Sequence, residues 1–348
     1  MKKSAIQIIC TVALGSLVGL QTVVPARAAE SGAGDSKTTS ESASTPPSGA
    51  GSASSSSSES AVQEKRQLPD WIKQYHGICY VPNSKNKAQT LDIFLPTRTK
   101  SGSSAKTLPL VIYIHGGGWE GGDKSTVPLQ PLLKSDFAVA SLNYRLSDQA
   151  TFPAQIYDVK AAVRWLRANS RKYNLQPDHF GVWGSSAGAH LAALLGTSGG
   201  IKELEGREGN ANQSSSVQAV CDFFGPSDLT TILEQAKKNE VGSATPQATE
   251  PVKKLLGKLP SQDLKLARRA SPITYVSRKT PPFLIVHGDK DMLVPVQQSQ
   301  ELQASLKKHG VDSELVILPG EGHGRTGFSR VGINKIIAFF DRTLRSKK

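Results

Sequence analysis

The stretch "GVWGSSAGAHLAALLG", residues 181–196, places two adjacent serines between a short apolar run and an alanine-rich run. Ser186 is the centre of a G-x-S-x-G pattern that begins at Gly184 and ends at Gly188. A flexible Gly-Ser loop is the ordinary interpretation of a pattern this short. Between a strand and a helix, however, the pattern predicts a sharp turn that exposes the central serine, because glycine lets neighbouring backbone pack closely. This context predicts Ser186, and not Ser185, as a nucleophile.

The segments around this stretch alternate between strand-like and helical patterns. Short apolar runs predict strands in "LPLVIYI", "FAVASLNYRL", "HFGVWG", "VQAVCDFFG", "PPFLIVHG" and "SELVILPG". Apolar residues at helical spacing predict helices after Pro153, after Ser186, in "PVQQSQELQASLKKHG" and from about Phe328 to Leu344. Strands that alternate with helices favour a mostly parallel central sheet flanked by helices. We therefore expect an α/β domain over residues 68–348.

Polar loops downstream of Ser186 offer the partners that a serine nucleophile needs. A serine hydroxyl is weakly nucleophilic near neutral pH, so it requires a base and an acid that orients the base. His323 lies in "EGHGR" after one predicted strand, and Asp291 lies in "DKDMLVP" after another. The carboxyl ends of parallel strands meet at one edge of a sheet. The pattern predicts His323 as the base and Asp291 as the acid, with Asp289 and Glu321 as alternative acids.

The segment "HGGGW", residues 115–119, follows the predicted strand "LVIYI". Its glycines leave backbone N–H groups unobstructed by side chains, as a site for the oxyanion of an attacked carbonyl requires. A flexible glycine turn is the alternative interpretation. The helix that follows Ser186 adds free N–H groups at its start, where the helix dipole also favours negative charge.

These motifs, in this order, resemble the α/β-hydrolase superfamily, in particular the esterases related to hormone-sensitive lipase and the bacterial feruloyl and acetyl-xylan esterases. The resemblance extends from about Leu68 to Leu344. It rests on "HGGGW", "NYRL", "FPAQIYDVKAAVRWL", "GSSAG", "DFFGPSDL", "SPITYV", "HGDKDMLVP" and "GHG". It implies an α/β-hydrolase fold with Asp291 as the acid. It also implies the N–H groups of Gly117, Gly118 and Ala187 as the oxyanion donors.

The resemblance implies further features of the domain. His115 and Asp158 occupy positions that are usually structural in this superfamily. The region before the sheet is short, unlike the helical cap of the lipase-like branch, which favours the secreted polysaccharide-esterase branch. Residues 230–270 are then expected to form a small helical cover over the site.

The leading functional hypothesis is a secreted serine carboxylester hydrolase that acts through an acyl-enzyme and requires no cofactor. Its expected substrates are small-molecule or polysaccharide esters, and the resemblance suggests acetyl or feruloyl groups on polysaccharide. Glycine-lined access at "HGGGWEGG" and the lack of an evident large apolar cap favour short acyl groups. The same scaffold also serves amide hydrolases related to kynurenine formamidases or prolyl oligopeptidases, and non-catalytic binding modules. No oligomeric state follows from the sequence.

The N-terminal segment has the pattern of a targeting signal. Lys2 and Lys3 precede an apolar run at residues 6–24, and "ARA" follows at residues 26–28. This order predicts a secretory signal peptide over residues 1–28, with an uncleaved membrane anchor as the alternative. Residues 29–67 are rich in Ser and Gly and predict a disordered tether. We therefore expect a secreted, periplasmic or cell-envelope protein without stable membrane insertion after cleavage.

Charge and cysteine content exclude several other function classes. The chain has a formal net charge of +13, but its Lys and Arg residues are scattered without a zinc-finger or basic-aromatic RNA pattern. We expect a basic, solvated surface and no nucleic-acid partner. The cysteines and histidines show no metal-ligand spacing, so no metal site is predicted. Cys79 and Cys221 lie in different predicted strands; export would permit a disulfide between them, but we favour two buried thiols.

Overall fold

The computed structural model describes residues 68–98, 107–238, 246–324 and 332–345. The predicted signal peptide and tether, residues 1–67, lie outside these ranges. The strands are β1 (Ile72–Cys79), β2 (Thr90–Pro96), β3 (Leu108–Ile114), β4 (Ala138–Leu142), β5 (Leu175–Ser185), β6 (Ala219–Phe223), β7 (Phe283–Gly288) and β8 (Ser313–Leu318). The α-helices are α1 (Leu129–Leu133), α2 (Ala154–Ala168), α3 (Ala187–Thr197), α4 (Lys202–Glu205), α5 (Ile232–Lys238), α6 (Pro246–Leu256), α7 (Leu264–Arg269), α8 (Gln297–Lys308) and α9 (Ile333–Leu344).

The strands form one sheet in the order β1-β2-β4-β3-β5-β6-β7-β8. From β4 to β8 every neighbouring pair is parallel, whereas β2 pairs antiparallel with both β1 and β4. The parallel part follows from the alternation of strands and helices, because a helical crossover returns the chain to the same end of the sheet. The mostly parallel sheet expected from the sequence is confirmed.

Helices cover both faces of the sheet. Ile156 of α2, Leu191 of α3 and Leu302 of α8 belong to the core on one face. Leu132 of α1 and Phe340 of α9 belong to the core on the other face. Because both faces are covered, β3, β4, β6 and β7 are buried along their whole length, which explains their continuous apolar runs.

The segment that forms β2 was not among the predicted strands, and one helix boundary differs from the prediction. The segment "TLDIFLP" forms β2; no helical pattern follows it in the sequence, so it did not stand out in the alternation of strands and helices. Helix α9 begins at Ile333, after Gly332, rather than near Phe328, which lies outside the described residues. In the described ranges, no helix is both long enough and apolar enough to cross a bilayer.

The predicted cover is helical. It consists of α5, α6, a 3₁₀ turn at Pro260–Gln262 and α7, with residues 239–245 outside the described ranges. Val252, Leu255 and Leu256 of α6 are buried in the same core as α2 and α3. The backbone N–H of Phe152 donates to the carbonyl oxygen of Leu255 at 2.7 Å. The cover is therefore joined to the core of the domain by its apolar side chains and by backbone contacts.

The two cysteines of the described domain are unpaired thiols. The prediction of two buried thiols is correct for Cys221, which lies in central strand β6. It is wrong for Cys79, which is half-buried because it ends β1 at the edge of the sheet. The Cys79 thiol donates to the carbonyl oxygen of Val81 at 3.0 Å.

Candidate active site

Ser186 occupies the turn between β5 and α3. Its backbone has a φ of 54°, a left-handed conformation that is unusual for a residue with a side chain. Its N–H donates to the carbonyl oxygen of Phe223 at 2.9 Å, and its carbonyl oxygen accepts from the N–H of His190 at 3.0 Å. A side-chain carbon added at Gly188 would lie 2.2 Å from the carbonyl oxygen of Ile114. Only glycine fits there, so the G-x-S-x-G pattern is a requirement of the turn.

The structure brings Ser186, His323 and Asp291 into one hydrogen-bonded chain. His323 Nε2 lies 2.9 Å from Ser186 Oγ, and His323 Nδ1 lies 2.7 Å from Asp291 Oδ2. A carboxylate only accepts hydrogen bonds, so Nδ1 carries a proton in this arrangement. In the neutral imidazole Nε2 is then free to accept the proton of the Ser186 hydroxyl.

Asp291 is held in place by backbone as well as by side chains. Its Oδ1 accepts from the N–H groups of Leu293 (2.9 Å) and Val294 (2.8 Å). Burial by itself would raise the pKa of Asp291. Hydrogen bonds and opposite charge from His287 and His323 outweigh burial and hold that pKa well below its usual value. The carboxyl group is therefore ionised and oriented towards His323.

The alternative acids are placed differently. Asp289 is exposed, and its Oδ1 accepts from the N–H of Gly320 at 2.7 Å. Glu321 is half-buried, and its backbone carbonyl accepts from Lys290 N at 2.9 Å. Of the two aspartates in "GDKD", the structure places Asp291 against His323 and turns Asp289 to the neighbouring loop.

The candidate oxyanion donors come from two segments that are in contact, since a side-chain carbon added at Gly116 would lie 3.4 Å from Ser186 Cβ. Gly117 and Gly118 have φ values of 108° and 60°, which glycine adopts without strain. The loop is tightly turned, because the N–H groups of Glu120 and Gly121 both donate to the carbonyl oxygen of Gly117 at 3.0 Å. Among the described residues, the N–H groups of Gly117, Gly118 and Ala187 have no hydrogen-bond acceptor. They are available to a negatively charged oxygen.

His115 and Asp158 make contacts that support the fold. The His115 ring stacks on Tyr144 with centroids 4.6 Å apart, and burial lowers its pKa. Asp158 is fully buried, accepts a hydrogen bond from Gln89 and forms a bidentate ion pair with Arg145. Such a pair joins α2 to the loop after β4, where Arg145 lies.

His287 and Phe224 contribute to the site but were missed by the sequence analysis. His287 Nε2 lies 2.9 Å from the carbonyl oxygen of Val294 and 3.3 Å from Asp291 Oδ2, and its Nδ1 contacts Ser299 Oγ at 2.7 Å. The Phe224 ring packs 4.7 Å from the His323 ring. Their positions at the carboxyl ends of β7 and β6 are the signal that could have identified them.

A further buried acid lies behind the site. Asp222 of β6 is fully buried; its Oδ1 accepts from the N–H of Gly225 at 2.9 Å. Its Oδ2 has no hydrogen-bond partner within the described part of the chain. Burial raises the pKa of Asp222 to about 6, although the Gly225 N–H and His287 lower it in part.

Asp222→Asn is expected to change the pH dependence of stability. A carboxyl group whose pKa is raised by folding stabilises the fold at pH values below 3.8, the pKa of the group in the unfolded chain. This contribution is lost as the pH rises through about 6, the pKa of the group in the fold. The asparagine does not titrate. The free energy of unfolding of the variant should therefore rise by about 3 kcal/mol relative to that of the parent as the pH rises across this window. Denaturant unfolding at several pH values measures the difference. A difference independent of pH would contradict this assignment.

Within the described residues, no group of three or more His, Cys, Asp or Glu side chains is arranged to hold a metal ion.

Comparisons with known proteins agree with the fold. A family model described as BD-FAE matches residues 91–306. Esterase LipQ of Mycobacterium tuberculosis is 32% identical over 243 residues, which cover 69% of this chain and 54% of that protein. The chain spans about half the length of the first curated relatives that it matches.

Two solved structures are similar to this chain in both fold and sequence. A truncated carbohydrate esterase from gut microbiota superposes with a TM-score of 0.70 at 33% identity, over 78% of this chain and 96% of that one. An acetyl ester-xyloside bifunctional hydrolase from Caldicellulosiruptor lactoaceticus superposes with a TM-score of 0.56 at 30% identity, over 73% of this chain and 85% of that one.

Proposed function

The chain belongs to the BD-FAE family of α/β-hydrolase esterases, and we propose that it is a serine carboxylester hydrolase that works through an acyl-enzyme. The observation that carries this proposal is the hydrogen-bonded chain from Ser186 through His323 to Asp291. The N–H groups of Gly117, Gly118 and Ala187, in the loop and the helix that flank Ser186, have no acceptor among the described residues. A nucleophile, a base, an orienting acid and oxyanion donors are the components of acyl transfer by serine.

Each residue has a defined role in the proposed reaction. Ser186 Oγ attacks the ester carbonyl carbon while His323 Nε2 takes its proton, and the carbonyl oxygen becomes an oxyanion facing the three N–H groups. Asp291 stabilises the imidazolium. His323 then gives the proton to the leaving alcohol as the carbon–oxygen bond breaks. Water attacks the acyl-enzyme in the same way and releases the carboxylic acid and free Ser186.

Two alternatives remain from the sequence, an amide hydrolase and a non-catalytic binding module. Amide hydrolysis uses the same groups, but the relatives and neighbours above carry names of ester hydrolases. A binding module needs no reactive serine. Incubation with a fluorophosphonate probe tests this point, since the proposed enzyme is labelled at Ser186 and a binding module is not. Failure of the folded protein to react would overturn the proposed function.

We propose short acyl esters of carbohydrates as the substrate class. The neighbours described as a carbohydrate esterase and an acetyl ester-xyloside hydrolase support the alcohol portion. The acyl portion is supported by the cover: Val252, Leu255 and Leu256 are buried in the core, so these side chains are not available to line a long acyl tunnel. The predicted export would place the enzyme where such polysaccharides occur.

This substrate proposal predicts a steep dependence on acyl length. We expect kcat/KM for p-nitrophenyl acetate to exceed that for p-nitrophenyl palmitate by at least about 100-fold, because a long chain finds no apolar channel. Acetate release from acetylated xylan, measured against the Ser186→Ala variant, tests the alcohol portion. A preference for palmitate would contradict the acyl assignment. Hydrolysis of small esters alone would contradict the carbohydrate assignment.

A further inference from the structure

The imidazole of His190 lies between the cover and the loop of residues 115–119, which we call the glycine loop. Trp119 Nε1–H donates to His190 Nδ1 at 3.2 Å, and His190 Nε2–H donates to the carbonyl oxygen of Ala270 at 2.8 Å. The Trp119 and His190 rings also meet edge to face, with centroids 5.2 Å apart. His190 is fully buried and Trp119 nearly so. None of the roles assigned above uses this pair.

The two partners of His190 determine its tautomer. An indole N–H can only donate and a carbonyl oxygen can only accept, so the proton must lie on Nε2 and the lone pair on Nδ1. Burial lowers the pKa of His190 to about 4, which keeps the imidazole neutral near neutral pH. The hydrogen bond from Trp119 therefore has a defined direction and a defined acceptor.

This hydrogen bond joins the two segments that supply the oxyanion donors. Trp119 directly follows Gly117 and Gly118, and its own φ of 59° is unusual for a residue with a large side chain. His190 lies on the first turn of α3, where its N–H donates to the carbonyl oxygen of Ser186. Ala187, the third donor, begins the same turn. The Trp119–His190 hydrogen bond therefore joins the segment of the two loop donors to the segment of the helix donor.

The cover contacts the same loop at two further points. Lys254 of α6 forms an ion pair with Glu120 at 2.8 Å. A side-chain carbon added at Gly118 would lie 3.3 Å from Pro251 Cβ, so α6 packs closely against the loop. Ala270, which accepts from His190, directly follows α7. The glycine loop is thus packed between the cover and α3.

We propose that Trp119 and His190 are positioning residues, whose hydrogen bond holds the N–H groups of Gly117 and Gly118 at the separation from Ala187 N–H that the oxyanion requires. This inference rests on the proposed ester hydrolysis. A displaced donor stabilises the transition state less while the neutral ester still binds. Loss of the hydrogen bond should therefore lower kcat and leave KM nearly unchanged.

Trp119→Phe tests the inference because it removes the N–H and keeps most of the apolar ring. We expect kcat for p-nitrophenyl acetate to fall by about 10- to 100-fold, with KM changed by less than about threefold. The rate of labelling by a p-nitrophenyl phosphonate should fall by a similar factor, since phosphonylation also places negative charge on an oxygen. Trp165→Phe, in α2, is the matched control and should retain the parent activity.

Two substitutions of His190 separate its two hydrogen bonds. His190→Asn places an oxygen near the position of Nδ1 and can still accept from Trp119, whereas His190→Gln keeps a donor near Nε2 for Ala270. We expect His190→Gln to resemble Trp119→Phe and His190→Asn to retain most of the activity. The double variant Trp119→Phe/His190→Gln should lose no more than either single variant, because both remove one interaction.

The outcomes distinguish this inference from the proposed function. Absence of labelling in the parent protein would overturn both. Labelling of the parent with less than about a threefold loss of kcat in Trp119→Phe and His190→Gln would overturn the positioning role alone. Equal losses in His190→Asn and His190→Gln would also overturn it, because the Ala270 contact or general packing would then account for the effect.

Discussion

Ser186→Ala should lower kcat for ester hydrolysis by about 10⁴- to 10⁶-fold and abolish labelling by a fluorophosphonate. The substitution removes the only atom that can form the acyl-enzyme in the proposed reaction, while the oxyanion donors and the substrate contacts remain. Binding should therefore be largely preserved. Steady-state hydrolysis of p-nitrophenyl acetate measures the loss of kcat, and thermal unfolding of the variant shows that the fold is retained.

The adjacent serine provides a matched control. Ser185 ends β5, and its Oγ lies 3.4 Å from the hydroxyl of Tyr113. It belongs to the strand rather than to the turn, so Ser185→Ala should change kcat by less than about tenfold. A larger loss in Ser185→Ala than in Ser186→Ala would show that the nucleophile has been assigned to the wrong residue.

Asp291→Asn should lower kcat by about 10⁴-fold. The asparagine oxygen can still accept from the N–H groups of Leu293 and Val294, so the turn should persist. Its amide nitrogen would then face His323 Nδ1 as a donor. The imidazole would carry its proton on Nε2, where it could no longer accept the proton of Ser186. The pH–rate profile and kcat on p-nitrophenyl acetate measure the effect.

The neighbouring aspartate tests the specificity of this assignment. Asp289 is exposed and accepts from Gly320 N in the adjacent loop. Asp289→Asn keeps an acceptor for that contact and should lower kcat by less than about fivefold. If kcat fell strongly in Asp289→Asn and hardly at all in Asp291→Asn, the acid of the site would be Asp289. The contact between Asp291 and His323 would then not be the catalytic one.

Much of the fold could be predicted because it follows from local patterns. Continuous apolar runs such as "LPLVIYI" require burial on both faces, and the helical spacing after Pro153 requires one buried face; together these imply parallel strands with helical crossovers. The segment of β2 has an apolar pattern too, but no helical pattern follows it in the sequence. Its antiparallel pairing with β4 depends on a long-range contact that no local periodicity reports.

The candidate site also combines residues that the sequence predicts with contacts that depend on the tertiary structure. Ser186 was predictable because the turn needs glycine at Gly184 and Gly188, which is a local backbone requirement visible in the sequence. Asp291 was predicted as the acid, but Asp289 stayed open as an alternative, because both residues follow β7 and a linear pattern does not show which carboxylate faces His323. The backbone N–H groups of Leu293 and Val294 orient the Asp291 carboxylate, and this depends on the path of the loop.

The sequence alone determined the alternating architecture, the position of the nucleophile turn and the order of the residues that meet there. Tertiary structure decided which atoms touch: Ser186 and His323 are 137 residues apart, yet their side chains lie 2.9 Å from each other. It also decided that His287 supports Asp291 and that His190 joins the glycine loop to α3. The physical reason is that periodicity and glycine placement record the needs of each segment, whereas hydrogen-bond distances depend on how remote segments pack together.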